Sequence, residues 1–284
     1  MKTIRVSLVI SFYNKIEYLK LILAALERQS FQDFEAIIAD DGSKIPVVDE
    51  IKEIMRHSSL SVQHLWHEDE GFRKTTIFNE AIRKSRSSYL IFMDGDCIPH
   101  RKFIEEHFNN RESRVLLAGR RVYLSEKISR SLTADKIKDG YLENRFIPAL
   151  LADGIFGKSS HVIKGIFIKS EFLRKFLNRS MTGVLGSNFS VHKEDLQAIN
   201  GFDERYRAPA VGEDSDIELR LMWNDVKIKM VKNMAVQYHI HHAKLARPEK
   251  NLEIFEKVKR ERQFFTPYGL VQQKTPESNY AQKN

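Results

Sequence analysis

The sequence predicts an α/β fold built on a mixed, mostly parallel central sheet flanked by helices. Three observations carry that prediction. Short apolar, β-branched runs alternate with segments of helical period through the first hundred residues. The runs are apolar throughout, as strands covered on both faces must be. Three of them end in polar clusters: Ser11 to Asn14, Asp40-Asp41, and Asp94 to Asp96. If the strands are parallel neighbours, the clusters share the carboxyl edge of the sheet, where ligands bind.

In order, residues 6–10 read as a strand and 16–28 as a helix with Leu19, Leu23 and Leu26 on one face. Residues 34–39 are a second strand, stopped by Asp40-Asp41-Gly42-Ser43, and 48–57 a helix. Residues 62–66 form a third strand. A helix over 75–84 puts Ile77, Ala81 and Ile82 on one side, and strand 89–93 stops at Asp94-Gly95-Asp96. From 111 to 180 the rhythm weakens to one strand, 115–118, and basic amphipathic helices over 127–145 and 170–177. The stretch 183–242 is turn-rich, with a helix at 216–224 and strands at 227–231 and 235–239. A terminal helix spans 252–265, and 271–284 is a polar, flexible tail. No Gly/Pro-rich linker or repeat interrupts the chain, so residues 1–270 read as one domain with halves 1–110 and 111–270.

Composition narrows the classes. Of 284 residues, 42% are hydrophobic and 30% charged, which excludes a disordered chain, a collagen-like fibre and a disulfide scaffold. One cysteine, Cys97, allows no intrachain disulfide. A net charge of +8 favours anionic partners. The opening residues are too polar for a secretory signal, and no apolar run approaches the ~18 residues of a membrane span. The expectation is a soluble, cytoplasmic protein.

Each motif has a plain reading beside the chemical one. Asp94-Gly95-Asp96 can offer oxygens to a divalent cation, but a bare Asp-x-Asp arises about once by chance in such a chain, and Asp214-Ser215-Asp216 is a second copy. Asp40 to Ser43 also suits a turn and helix cap. Gly212 to Glu218 places four carboxylates in six positions at a helix start, favourable against the helix dipole. Crowding there would also raise a carboxyl pKa, as a general base requires. Three histidines in four positions, His239, His241 and His242, lean toward metal or phosphate work. On an extended strand His239 and His241 share one face and His242 takes the other. Arg73-Lys74 opens a helix with two cations, a place where anions bind.

Together these blocks resemble family 2 glycosyltransferases of the GT-A fold. Ser7 to Asn14, Phe34 to Ser43 and Asp94-Gly95-Asp96 are similar to the family's first strand, second strand and metal-binding Asp-x-Asp. Asn200-Gly201-Phe202-Asp203-Glu204 followed by Gly212-Glu213-Asp214 resembles the acceptor-side signature of β-galactosyltransferases and chondroitin-type polymerases. The matching blocks cover roughly 4–110 and 183–245, in the family's order, which makes 1–110 the nucleotide-sugar half and 111–270 the acceptor half. The resemblance implies that Ser11 and Asp41 contact the nucleoside, that Arg73 lies near the base or diphosphate, and that Asp94 touches the ribose or the metal's waters. It implies Asp96 and His239 as metal ligands, with His242 as the alternative, and Mn²⁺ or Mg²⁺ as the cofactor. Asp214 takes the catalytic-base position, Glu213 grips the acceptor sugar, and Gly186-Ser187-Asn188 lines the donor-sugar pocket. Two positions depart from the pattern: Ser11 replaces a proline, and Phe78 stands where relatives carry an arginine.

The implied activity is inverting transfer of a sugar from a nucleotide diphosphate, a UDP-sugar above all, to a glycan hydroxyl in bacterial surface polysaccharide or lipopolysaccharide synthesis. The alternative is an inactive carbohydrate- or nucleotide-binding module on the same fold. Basic segments such as 127–145 suggest peripheral attachment to the anionic inner face of the cell membrane, where a lipid-linked glycan acceptor would lie. No aromatic-basic RNA-binding signature or zinc-finger spacing supports a nucleic-acid partner. The first turn, Ser11-Phe12-Tyr13-Asn14, lacks the glycines of a nucleotidyltransferase.

Overall fold

The alternating first part of the chain folds as β1 (Val6–Phe12), α1 (Ile16–Glu27), β2 (Phe34–Asp40), α2 (Ile45–His57), β3 (Val62–Trp66), α3 (Lys74–Lys84) and β4 (Tyr89–Asp94). The computed structural model describes residues 3–177, 183–209, 212–243 and 251–271. Strands β1 to β4 are parallel, and the register sets Ser11 opposite Ala39 on one side and Asp94 on the other. The three polar clusters therefore do meet at one sheet edge. Helix α2 begins three residues earlier than position 48, because Pro46 lies in its first turn, where no N–H is needed.

After β4 come β5 (Cys97–Pro99), α4 (Phe103–Asn109), β6 (Val115–Ala118), β7 (Arg120–Tyr123), α5 (Glu126–Ser131), α6 (Ala134–Lys138), α7 (Tyr141–Asn144) and α8 (Phe146–Phe156). A 3₁₀ turn (Val162–Gly165) and α9 (Glu171–Leu177) follow. The chain continues through β8 (Asn188–His192), α10 (Lys193–Ala198), α11 (Glu213–Trp223), β9 (Lys227–Met230), β10 (Val236–His239) and α12 (Leu252–Glu261). Among the described residues, seven strands form one sheet in the order β3-β2-β1-β4-β8-β6-β9. Only β8 runs against its neighbours there. A second sheet, β5-β10-β7, stands beside it.

Several expectations change. The basic stretch 127–145 is three short helices, not long ones. The Ser125 hydroxyl accepts the Ile128 N–H to start α5, Thr133 accepts the Lys136 N–H to start α6, and Gly140 at φ +81° breaks into α7. Helix α11 starts at Glu213, so its acids lie in the first turn. Helix α12 stops at Glu261, where Arg262 turns left-handed. Of the tail 271–284, all but Val271 lies outside the described residues.

The main sheet is covered on both faces. Leu8, Ile10, Ile38 and Ile91 pack with Leu19, Leu23 and Phe103 on one side. Val9, Ile37, Phe92 and Phe189 pack with Phe78, Ile82 and Phe202 on the other. Each such fully buried side chain contributes roughly 1.5–3 kcal/mol. Phe92 stacks on Phe189 at 4.7 Å between centroids and meets Phe78 and Phe202 edge-on or tilted, at 5.3 and 5.5 Å. This tight layer locks β8 beside β4 and so fixes the edge that carries Asp94.

Candidate active site

One corner of the site is built by the ends of β1 and β2. Asp40 is buried, accepting the Ser43 N–H at 2.8 Å and meeting His64 Nε2 at 2.9 Å. Asp41 accepts the Arg73 N–H at 2.9 Å and meets His67 Nε2 at 2.8 Å. Asp41 thereby ties the start of α3 to β2. The Arg73 side chain turns to Glu70, at 2.9 Å, and to the Glu68 carbonyl. The guanidinium thus rests on neighbouring acidic and carbonyl oxygens at the lip, and only the backbone N–H of Arg73 contacts Asp41. Ser11 donates to Asp94 at 3.3 Å, joining this corner to β4.

Beyond Asp94 lies a carboxylate with two imidazoles. Asp96 Oδ2 is 3.3 Å from His239 Nε2 and 3.1 Å from His242 Nε2. These three donor atoms lie within 4.8 Å of one another, the only such grouping among the described residues. Strand β10 ends at His239, so strict alternation stops there, and the turn brings His242 beside His239. His241, expected on the face of His239, is exposed instead, its N–H held by Ser129. Burial opposes the Asp96 charge, yet the two imidazoles hold its carboxyl well below the ordinary range. The bond to Asp96 raises the His242 pKa. Cys97 Sγ donates to Asp96 Oδ1 and Ala243 O binds His242 Nδ1, which leaves Oδ2 and both Nε2 atoms converging. One carboxylate oxygen and two imidazole nitrogens suit a divalent transition ion such as Mn²⁺, so the residues present fit the expected group.

Another corner lies at the start of α11. Gly212, at φ +98°, lets the chain turn into the helix, and Glu213 and Asp214 follow at once. Asp214 Oδ2 accepts the Gly186 N–H at 2.9 Å. A Cβ at position 186 would stand 1.9 Å from Asp214 Oδ1, so glycine is what allows the carboxylate in. Burial pushes the Asp214 carboxyl up, with Lys74 opposing the rise and Asp94 adding to it. Glu213 is pushed up to about 7, first by burial and then by Asp214 against the pull of Lys74. Burial is the main cause of both rises, and neighbouring carboxylates only add to it.

Lys74, the second cation of the α3 start, and Arg121, which the sequence did not single out, both reach Asp94. Lys74 Nζ is 3.1 Å from Asp94 Oδ1, and Arg121 Nη1 is 3.3 Å from Asp94 Oδ2. Burial works against the Lys74 ammonium, but Asp94, Asp214 and Glu213 outweigh it and raise its pKa. Arg121 also bonds the Tyr123 hydroxyl at 3.2 Å, and the Tyr123 ring lies 5.1 Å from that of His239. Lys74 was legible as the second cation of a helix start. Arg121 sits in a four-residue strand too short to show a period.

The expected 186–188 turn divides by function. Gly186 holds Asp214, and Ser187 is buried with no hydrogen-bond partner for its hydroxyl among the described residues. Asn188 corrects the expectation of a sugar contact. Its side chain is fully buried and spent on Arg120 O, Ala235 O and His107, so it fastens β8 to its surroundings and does not face the cleft.

Comparison with known proteins identifies the fold and the family. The fold is that of GT-A glycosyltransferases. A mannosyltransferase from Pyrobaculum calidifontis, solved with GDP-Man and Mn²⁺, matches with a TM-score of 0.54 at 13% identity, over 84% of this chain and 57% of its own. Staphylococcus aureus TarS with UDP-GlcNAc matches at 0.52 and 17%, over 91% and 65%. The family model for glycosyl transferase family 2 matches residues 7–168, and that for the N-terminal domain of galactosyltransferase matches 170–243. The chain belongs to glycosyl transferase family 2. It is 26% identical over 243 residues to Escherichia coli chondroitin synthase, covering 82% of this chain and 34% of that one. It is 24% identical over 250 residues to the amylovoran biosynthesis glycosyltransferase AmsB of Erwinia amylovora, covering 84% and 71%. The chain thus spans about a third of the length of the chondroitin synthase it resembles.

Proposed function

We propose that this chain is an inverting, metal-dependent hexosyltransferase using a UDP-sugar donor and a glycan hydroxyl as acceptor. The observation that carries this reading is the side-chain network from Asp96, His239 and Tyr123 through Arg121, Asp94 and Lys74 to the charge field of Asp214. Residues at the ends of β1 and β2 hold the nucleoside, with Asp41 and the backbone of Arg73 as the anchor. Asp214 takes the proton of the attacking hydroxyl while that oxygen bonds the anomeric carbon. The bond to the diphosphate breaks on the opposite face, and its electron pair leaves with the phosphate oxygen. Glu213 and Ser187 offer hydrogen bonds to the sugars. A divalent cation held by Asp96, His239 and His242 would supply positive charge against the leaving diphosphate.

The names of two bacterial relatives, a chondroitin synthase and an amylovoran biosynthesis glycosyltransferase, support a role in polysaccharide synthesis, and this reading extends it to bacterial surface polysaccharide or lipopolysaccharide. Residues 1–270 act in this reading as one domain, 1–110 serving the donor and 111–270 the acceptor. No helix among the described residues is long and apolar enough to cross a membrane. Exposed Ile155, Phe156, Ile163 and Phe172, with Lys158 and Lys169 nearby in sequence, support peripheral contact of a cytoplasmic protein with an anionic membrane face bearing a lipid-linked acceptor. The deciding experiment is Asp214→Asn. Transfer should fall by roughly a hundredfold to ten-thousandfold while UDP still binds. Undiminished transfer would remove the base and with it this reading.

A further inference from the structure

We infer that a basic cleft beside the candidate base receives an anionic group carried by the acceptor glycan, a carboxylate or a phosphate ester. The cleft, of about 360 Å³, is lined by Arg120, Arg121, Tyr123, His161 and Lys164 together with the segment 183–185. Among the described residues no carboxylate lines it. Two acids stand near. Asp94 pairs with Arg121 but is shared with Lys74, and Glu218 accepts the Val184 N–H at 2.9 Å and tempers Arg120. Lys164 has no ion-pair partner among the described residues. Arg120 donates to Gly119 O and Gly183 O, both at 2.7 Å, which fixes its guanidinium in place. Lys232 lies close enough to feel Arg120 and Lys164, which together with burial lower its pKa, and burial and Lys164 do the same to His161. Among the described residues, therefore, the cleft is lined by cations and by no acid, and a bound oxyanion would relieve their mutual crowding.

The position assigns the anion to the acceptor. This step rests on the transferase reading above. Leu185 immediately precedes Gly186, which grips Asp214, so the cleft opens next to the attacking hydroxyl. Tyr123 lies between His239 and His161, with ring centroids 5.1 and 5.6 Å away, so the cleft also borders the imidazole corner. His161 is held at φ +60°, a conformation few side chains adopt. The nucleoside corner lies across Asp94, on β1, β2 and α3. A sugar seated on Tyr123 would thus present its charged substituent to Arg120 and Lys164.

The test uses three disaccharides differing only in their terminal residue: glucose, glucuronate or glucose 6-phosphate. Each is titrated calorimetrically into the intact protein with UDP and Mn²⁺ present. Both anionic forms should bind about tenfold tighter than the neutral one at low salt, the size expected of a charge-assisted contact. Added salt should erode the preference. Lys164→Glu should abolish the preference and Lys164→Gln should reduce it, while UDP affinity stays unchanged and reports an intact fold. Equal binding of the three disaccharides, or a preference that survives Lys164→Glu, overturns the inference. So does an acid preference confined to UDP-glucuronate over UDP-glucose, since that would place the anion on the donor. If UDP fails to bind the unaltered protein, the transferase reading fails, and the disaccharide preference still decides the cleft.

Discussion

Two acidic pairs end up at the same edge of this molecule under opposite regimes. Asp40 and Asp41 close β2 with their oxygens met by donors: two backbone N–H groups and two imidazoles. Glu213 and Asp214 open α11 in a buried setting, with Asp214 given one backbone N–H and both carboxyls pushed upward. Abundant donors hold a carboxylate in place and make it a fixed anchor. Desolvation with a single compensating ammonium leaves it able to accept a proton. In the proposed function, residue type does not separate recognition from proton transfer; the supply of donors does.

That contrast can be broken or sharpened by experiment. The largest expected effect is loss of the imidazole corner's cation. Chelation should stop turnover and Mn²⁺ should restore it, and chelator-insensitive transfer would sink the metal assignment. Gly186→Ala should come next. The new methyl must displace the Asp214 carboxylate, so transfer should fall about a hundredfold, the cost of an ångström-scale misplacement, with little change in melting temperature. Normal rates in that variant would show that Asp214 is not positioned by this glycine. Asp41→Asn weakens an anchor without touching the base. UDP affinity should drop about tenfold, as for losing a charged hydrogen bond, while the rate at saturating donor holds. A loss in rate with normal affinity would reverse the two roles.

The smallest effect is on pH. A raised carboxyl binds its proton more tightly in the folded chain, so Glu213 contributes stability below its unfolded pKa and loses it as pH rises through about 7. Activity has the opposite sense, because the base must be free of its proton, so transfer should rise with pH along a limb set above ordinary carboxylates. Lys74 holds both pKa values down, and Lys74→Met should move that limb further up. An unmoved limb would mean that Lys74 does not govern the pair.

The donor half was legible because its signals are local. Residues such as Val9, Ile37 and Phe92 are apolar in short runs, and the polar stops at 11, 40 and 94 lie directly after them. The expected ligands Asp96 and His239 do converge, and His242 joins them, which alternation along a strand could not foresee. Strand β8 was missed because its pairing with β4 spans about a hundred residues, and its own sequence, Asn-Phe-Ser-Val-His, reads as polar punctuation. Arg121 was passed over for a similar reason, since it acquires meaning only from Asp94, which arrives from elsewhere in the chain. Lys74 was read as a cation of a helix start, but its pairing with Asp94 was not foreseen.

The reversed direction of β8 has a further consequence. Because it enters the sheet at the binding edge, with Asn188 paired to Met93, the chain between β7 and β8 leaves and rejoins the sheets at that edge, and its helices α5 to α8 pack outside the main sheet against α1 and β10. Evolution can lengthen, swap or recharge that insert without re-threading the strands that grip the nucleotide. Diversification of such enzymes toward new glycans should therefore concentrate between residues 124 and 187, leaving the opening hundred residues to change slowly.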